Sequence, residues 1–594
     1  MPSREKSLTP SHTRDQIRTI ARATFSGFLQ SDLMPQGMQA AALIWVAAFL
    51  LAPGLFLPVA ALNKYATIRR FFPERLEFVL WSDRMLFLIM SAGAIGLIAV
   101  VLWDTLFPAR RDAFVLTPLP VPLSAQMLGR LAGLMMLCGT FVVALNLLPA
   151  LLFPVTSAGA FAEMPRRMIA HAVTTSAADA CVFFSVTSLQ GIVILLVGRR
   201  FAARIAAFAQ AGAVLVLLLS LLFISGIVEL ARAAFMRGDM SDPVLQFLPP
   251  AWFMGLYEVI AGTSRSVMTP LAIRAIVATA VPLAITGVIY AVGYERLLAR
   301  AVETPNRSTR SWVTRLASAT VRLLWIRRPE DQAIAAFLLR AISRSSRHSM
   351  LMSIYIGAGL AMMVTFVLPD VLRHGMSAFA TPSLSALALP LVLSVGLAVG
   401  VRMLMTIPAE MPARWIFQTS AITPRRVDAA THKALLLIVL PPVAVVAFAT
   451  AAPLWGVPLG LTHAVFCSAL GTLLCEALLV KFHGVPLTRP YVPGGSRFHM
   501  LWAAYFSIFL TYTFSSVALE RDLWRWYGAR GVLNAAAVFT AFAFALWARR
   551  KYALRHIEAV TFEAEEPEDQ MFQGFNLSEI QAAQAVASRR IPDP

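Results

Sequence analysis

Leu86-Phe-Leu-Ile-Met-Ser-Ala-Gly-Ala-Ile-Gly-Leu-Ile-Ala-Val-Val-Leu-Trp103 carries no charged side chain along its length. Such a run approaches the roughly 20 apolar residues that cross a ~30 Å hydrocarbon core. Nothing in that core can pair a bare N–H or C=O, so the backbone must satisfy itself as a helix. Comparable runs lie at Ala40–Ala61, Gln126–Phe153, Ile205–Leu230, Leu271–Val292 and Leu435–Ala451, separated by short arginine-bearing loops. This pattern predicts an all-α polytopic membrane protein with about 12 transmembrane helices.

Composition agrees. The chain has 594 residues, 58% of them hydrophobic and only 14% charged, with mean hydropathy +0.69. A soluble protein would carry nearer ~25% charged residues. The net charge of +19 does not point to nucleic acid, because the positive residues sit mostly beside the apolar runs. There they set topology and meet anionic lipid. Lysine occurs only at Lys6, Lys64, Lys433, Lys481 and Lys551, a bias that reads as a GC-rich bacterial genome. The expected location is therefore a bacterial inner membrane. No cleavable signal is recognisable before the first run, so that run is expected to stay as an anchor.

The expected spans are Gln39–Ala61, Arg84–Trp103, Ala125–Phe153, Ala170–Val197, Ile205–Leu230 and Leu271–Gly293, then Met350–Leu368, Ser385–Met405, Ala434–Ala452, Leu459–Val480, His499–Ala518 and Val532–Trp547. The basic stretch Tyr294–Ser349, with Arg296, Arg300, Arg307 and further arginines through to Arg347, places both termini in the cytoplasm. Lys64, Arg69, Arg70 and Arg75 disagree, since they fall on an expected outer loop with Glu74, Glu77 and Asp83.

The organisation that follows has five parts. Residues 1–38 form a cytoplasmic segment with an interfacial helix, 39–293 a first six-span half and 294–349 a basic linker with a second interfacial helix. Residues 350–549 form a second six-span half and 550–594 an acidic tail expected to be disordered. Asp15–Leu33 and Asp331–His348 are the amphipathic candidates. Ile334, Phe337, Leu338 and Ile342 share one face of the latter.

The halves look like a pseudo-repeat. After the second span the chain reads Pro108-Ala-Arg-Arg-Asp-Ala-Phe-Val-Leu-Thr-Pro-Leu-Pro, and after the eighth Pro412-Ala-Arg-Trp-Ile-Phe-Gln-Thr-Ser-Ala-Ile-Thr-Pro-Arg-Arg. Arg111 and Arg414, Phe114 and Phe417, Leu119 and Ile422, and Arg130 and Lys433 align without a gap. Parallel repeats of this kind are common in transporters.

The chain holds no Gly-x4-Gly-Lys-Ser/Thr loop, no His-Glu-x2-His, no paired metal cysteines and no Gly-x-Ser-x-Gly. Neither a catalytic site nor a cofactor is expected in it. Cys138, Cys181, Cys467 and Cys475 sit in apolar segments and read as packing residues. The intramembrane polar residues are Asp179, Glu476, Asn146, Arg274, Arg402 and His463. Groups of this kind are costly at depth and usually face protein or water. Asp179 is the deepest acid and is expected to bond a neighbouring helix. Glu476 is expected to pair with Lys481 near the inner interface, and Arg402 to snorkel. Pro53, Pro58, Pro149, Pro282, Pro390, Pro441 and Pro442 would kink spans. Gly93, Gly96, Gly357 and Gly359 would pack helices closely. Leu248–Tyr257 reads as an aromatic anchor or a short re-entrant outer gate.

Leu116-Thr-Pro-Leu-Pro-Val-Pro with Gly129-Arg130, and Thr419-Ser-Ala-Ile-Thr-Pro-Arg-Arg with His432-Lys433, resemble the loop between the second and third spans of type-2 ABC export permeases. That loop commonly reads Leu-x-Thr/Ser-Pro-hydrophobic, followed by Gly-Lys. The resemblance implies two fused permease halves, each with an interfacial helix before its first span. It implies that Arg110, Arg111, Pro118, Pro120, Arg414, Pro424 and Arg425 lie in loops that couple to a separate ATPase, most simply two copies. Pro249–Phe253 is similar to outer re-entrant segments of such permeases. The chain departs from the pattern at Ala421, where the first loop has Pro118, and at Asp522–Gly528, where a second Pro-Pro-x-Trp-Phe would fall. The resulting expectation is an exporter permease for an amphipathic or lipid-like substrate, with Asp179 and Glu476 as its intramembrane polar site. An ion- or proton-coupled carrier using Asp179, a non-transporting scaffold and a membrane enzyme acting on lipid-linked substrates are the alternatives.

Overall fold

A computed structural model describes residues 10–29, 61–108, 110–157, 161–196, 202–237, 242–262, 268–302, 328–407, 422–480 and 498–556, with a few isolated residues between. The first expected span (Gln39–Ala61) lies almost wholly outside them, as do the middle of the basic linker and the tail after residue 556.

Among the described residues all regular structure is helical. We label the principal helices α1 (Pro10–Leu29), α2 (Leu76–Val101), α3 (Arg110–Leu116), α4 (Leu123–Ser157), α5 (Met164–Leu196), α6 (Ala202–Leu222), α7 (Ile224–Arg237), α8 (Pro249–Ala261), α9 (Met268–Val302), α10 (Pro329–Arg344), α11 (Ser346–His374), α12 (Leu384–Leu404), α13 (Pro424–Trp455), α14 (Val457–Leu479) and α15 (Phe498–Ala553). Ten helical segments in the described residues are long and apolar enough to cross a membrane: those built on α2, α4, α5, α6, α9, α11, α12, α13, α14 and α15. Pro149, Pro282, Pro390, Pro441 and Pro442 all sit inside continuous helices.

The last of the ten is longer than one crossing. Ser507–Ala553 has 47 residues, about 70 Å at 1.5 Å per residue. Gly528 breaks it with φ 59° and ψ −154°, a conformation open essentially to glycine. Glu520 and Arg550 lie 30 positions apart, about 45 Å along a straight helix. Yet Glu520 pairs with His463 and Arg550 with Glu476, two α14 residues about 20 Å apart. Folding back at Gly528 leaves Glu520 and Arg550 offset by 14 positions, about 21 Å, which matches. A Cβ added to Gly531 would lie 3.1 Å from the carbonyl oxygen of Leu523, so the chain reverses there. The connection expected as a loop between Ala518 and Val532 is therefore a one-residue break in a helical hairpin.

A second correction concerns the fifth span. α6 ends at Leu222, and one turn residue, Phe223, separates it from amphipathic α7, so Ile205–Leu230 is not one unbroken helix. Beyond it, α8 buries Ala251, Phe253, Met254, Gly255, Leu256, Tyr257 and Glu258 between α5 and α9. At 13 residues, about 20 Å, it is too short to cross.

The apolar cores follow these groupings. One gathers the ends of α2 and α9 with α4, α5 and α6 around Trp103, Phe107, Tyr290 and Tyr294. Another packs α8 onto α2, α5, α7 and α9 around Met85, Phe253 and Leu271. A third is centred on α12–α15, around Leu391, Val439, Phe466, Val517 and Val532, with Met352 and Phe366 of α11 packed against it. The two sets of helices meet where α11 lies along α6, with Gly357 against the Ala211 carbonyl and Val214. Gly93 and Gly96 face Leu221 and Leu217 of α6, whereas Gly359 faces open space.

The discordant loop is also explained in part. Residues 61–71 are helical, and Lys64 pairs with Asp83 at 2.7 Å while the Tyr65 hydroxyl donates to the same carboxylate at 2.6 Å. The carboxylate offsets the lysine, so its vote on orientation weakens. Burial, followed by the Asp83 hydrogen bond, raises the Tyr65 phenol above its ordinary range and keeps it a donor.

Candidate functional site

Arg167, His171, Thr175 and Asp179 recur every fourth residue on α5 and so line one face. That face runs about 18 Å into the helix from Arg167 to Asp179. At its deep end Asp179 is fully buried. Its Oδ2 accepts from Ser91 Oγ of α2 at 2.8 Å and Asn146 Nδ2 of α4 at 2.5 Å. The acid thus bonds both neighbouring helices, as expected from the sequence. Its Oδ1 has no hydrogen-bond partner among the described residues.

Two turns outward, His171 sits among Phe87, Phe153 and Tyr257, with ring centroids 5.8, 5.5 and 6.4 Å away. Arg84 lies over the Tyr257 ring at 4.8 Å and pairs with Glu258 at 3.1 Å. Beyond this pair opens a cavity of about 560 Å³ lined by Phe78, Trp81, Arg84, Glu163, Arg166, Arg167, Arg232 and Glu258 among others. The result is a column: arginines and aromatics at the mouth, an aromatic waist, and a carboxylate at the bottom. Sequence reading found Asp179 and Asn146 but missed His171, Arg84 and Glu258. The four-residue spacing on α5 was the available signal.

Glu476 belongs to a different group. Its carboxylate takes Arg550 Nη2 at 2.9 Å, and Arg550 Nη1 reaches Asp428 at 2.7 Å. His432 Nε2 lies 2.5 Å from Glu476 Oε1, within ion-pair range but without hydrogen-bond alignment. Lys481, the expected partner of Glu476, lies outside the described residues. The groups around Asp179 and Glu476 share no residue, so the two acids do not form one site. Arg402, in the last turn of α12, is engaged: its Nε donates to the Leu478 carbonyl at 3.0 Å, and its guanidinium lies over Phe482. Arg274 reaches the Gln246 carbonyl at 3.4 Å.

The expected coupling elements differ between the halves. Arg110 and Arg111 start the short helix α3, and their side chains lie outside the described residues. Pro118 and Pro120 are exposed in the turn that follows. Arg130, at the start of α4, is buried and gathers this segment: it pairs with Asp112 at 2.7 Å and donates to the Thr105 and Phe107 carbonyls at 3.2 and 3.0 Å. Helix α1, the expected interfacial helix, packs on the same helix, and Gly129 and Gly133 admit it. A Cβ on either would lie 2.7 Å from Ile20 or Thr24.

In the second half Arg414 lies outside the described residues. Pro424 and Arg425 prove to be the first turn of α13, not loop. Arg425 donates to the carbonyls of Leu554 and Arg555 at 3.3 and 2.8 Å. Lys433, the counterpart of Arg130, holds Asp331 of α10 at 2.8 Å. Phe417 is buried against Phe337 of that helix, whereas its counterpart Phe114 is 56% exposed. A basic cavity of about 670 Å³ opens here between Arg328, Arg425, Arg426, Lys433, Lys551 and Arg555.

Scans against protein-family models, curated proteins and solved structures return no match for this chain. The functional reading therefore stands on its residues and their geometry.

Proposed function

We propose that the chain is the permease subunit of an ABC-type exporter in a bacterial inner membrane. Its twelve spans would form two pseudo-repeated halves, both termini would be cytoplasmic, and two copies of a separate ATPase would supply the energy. The observation that carries this reading is the Arg130 clamp. It fixes a short helix beside an exposed loop to a membrane-crossing helix, so a push on α3 is passed to α4 and not absorbed by a slack loop. The packing of α1 on α4 and of α10 on α13 supports the same design in each half.

The substrate class follows from the column. Arginines and glutamates beside Trp81 and Phe78 suit an amphipathic molecule with a polar head and an apolar body. The test is ATP hydrolysis in complexes purified from native membranes in mild detergent. Vanadate-sensitive turnover that falls when Arg414 is replaced by Glu supports the reading. Turnover unchanged by that substitution counts against coupling through these loops.

One observation favours a second reading. Asp179 has an oxygen with no hydrogen-bond partner among the described residues, and a deep acid of this kind can carry a proton or cation. An ion- or proton-coupled carrier would transport without ATP and stop when an uncoupler is added.

A further inference from the structure

We propose that His463, Cys467 and Glu520 form a binding site for a borderline divalent transition ion of the zinc type, within the α12–α15 helices. His463 and Cys467 lie four residues apart on α14 and so share a face. Glu520 comes from the first arm of the α15 hairpin. All three are buried, and one ligand atom from each lies within 4.8 Å of the others.

His463 Nδ1 faces both partners. It is 2.8 and 3.0 Å from the Glu520 carboxylate oxygens and 3.7 Å from Cys467 Sγ. Zinc bonds of about 2.0–2.3 Å in a tetrahedron place N and O about 3.4 Å apart and N and S about 3.6 Å apart. The sulfur already stands at that distance. The carboxylate needs to move by about half an ångström, within the reach of a glutamate rotamer.

The depth of the groups also agrees. His463 is six residues from the start of α14, about 9 Å in, and Glu520 is eight residues from the Gly528 turn, about 12 Å in. Both arms therefore deliver their ligands to one level near the end that the sequence predicts to face outward.

Charge is compatible with a metal here. A divalent ion with a thiolate, a carboxylate and a neutral imidazole is neutral as a group, which a low-dielectric interior favours. Without a metal, His463 and Glu520 satisfy each other and the Cys467 thiol packs in the apolar core, 3.7 Å from His463 Nδ1. Imidazole, thiolate and carboxylate together suit zinc or cobalt, not calcium or magnesium. Three protein ligands leave one tetrahedral position open to water or a further donor.

The test uses the full chain in detergent, carrying an affinity tag without histidine, titrated with Co²⁺. The expected result is a near-ultraviolet thiolate-to-cobalt band that saturates at about one ion per chain and that Zn²⁺ displaces. Cys467→Ser should abolish the band, Glu520→Gln and His463→Gln should weaken binding by about tenfold or more, and Cys138→Ser should leave it intact. Zinc-edge X-ray absorption of the unmodified protein provides a measurement independent of any variant, and it should show one sulfur among nitrogen and oxygen neighbours. No band in the unmodified protein, a band surviving Cys467→Ser, or a zinc shell without sulfur would overturn the proposal and leave a buried His–Glu pair.

Discussion

Arg130 holds Asp112 at 2.7 Å, and through it the first turn of α3 to the start of α4. The same guanidinium binds the carbonyls of Thr105 and Phe107 at the end of α2. One buried cation therefore joins two membrane helices to the segment between them. Arg130→Ala would leave a carboxylate and two carbonyls without their donor, at a cost of about 1–3 kcal/mol. The expected outcome is a lower unfolding midpoint and, in the ATPase complex, turnover reduced by roughly tenfold, equivalent to about 1.4 kcal/mol. Asp112→Asn, which removes only the ion pair, should affect turnover more than stability. Thermal unfolding and hydrolysis rates on the same samples separate the two.

The α1–α4 contact makes a steric prediction. Gly133→Leu places a branched side chain where Thr24 already sits 2.7 Å from a Cβ position. Overpacking of this kind costs about 1–3 kcal/mol, and α1 can relieve it by lifting away. Limited proteolysis should then cut near residues 14–22 faster than in the unmodified protein. An unchanged cleavage rate would mean that α1 is held by something other than this close approach.

The hairpin prediction rests on Gly528. Its φ of 59° with ψ of −154° is open essentially to glycine, and another residue there costs about 1–3 kcal/mol. Gly528→Ala is expected to lower the unfolding midpoint in detergent, whereas Gly531→Ala should act through the Leu523 carbonyl and Tyr527 instead. Equal midpoints for Gly528→Ala and the unmodified protein would contradict the reversal.

Much of this architecture was legible in the sequence, and the misses have physical causes. Hydropathy located the membrane helices because lipid leaves an apolar run no alternative to the helix. It misplaced the end of the fifth span, since Ile224–Leu230 is apolar on one face only, and that property belongs to a helix along a surface. Asp179 was found because a lone deep acid is conspicuous, but its column was not. Arg84 and Glu258 sit 174 positions apart, and only the packing of α8 against α2 and α5 brings them together. The Glu476 partner Arg550 is 74 positions away and reaches it because the chain reverses at Gly528, a contact that nearness in sequence cannot show. Cys467 packs in the core as its apolar segment implies, but its closeness to Glu520 was hidden because Glu520 lies on another helix.

Asp179 separates the two transport readings. Asp179→Asn keeps an acceptor for Ser91 and Asn146, while Asp179→Leu strips both of it. Interhelical hydrogen bonds in membranes contribute about 0.6–1.7 kcal/mol each, so the leucine variant should unfold at a lower temperature and the asparagine variant near normally. An ATP-driven permease should retain transport in the asparagine variant. A proton-coupled carrier should lose it.

The most direct measurement is the mass of the intact complex purified from native membranes. A nucleotide-binding chain is expected at two copies per permease, lost when the Arg130–Asp112 clamp is broken. Reproducible isolation of the chain without any nucleotide-binding partner would contradict it and turn attention to Asp179 as a coupling acid.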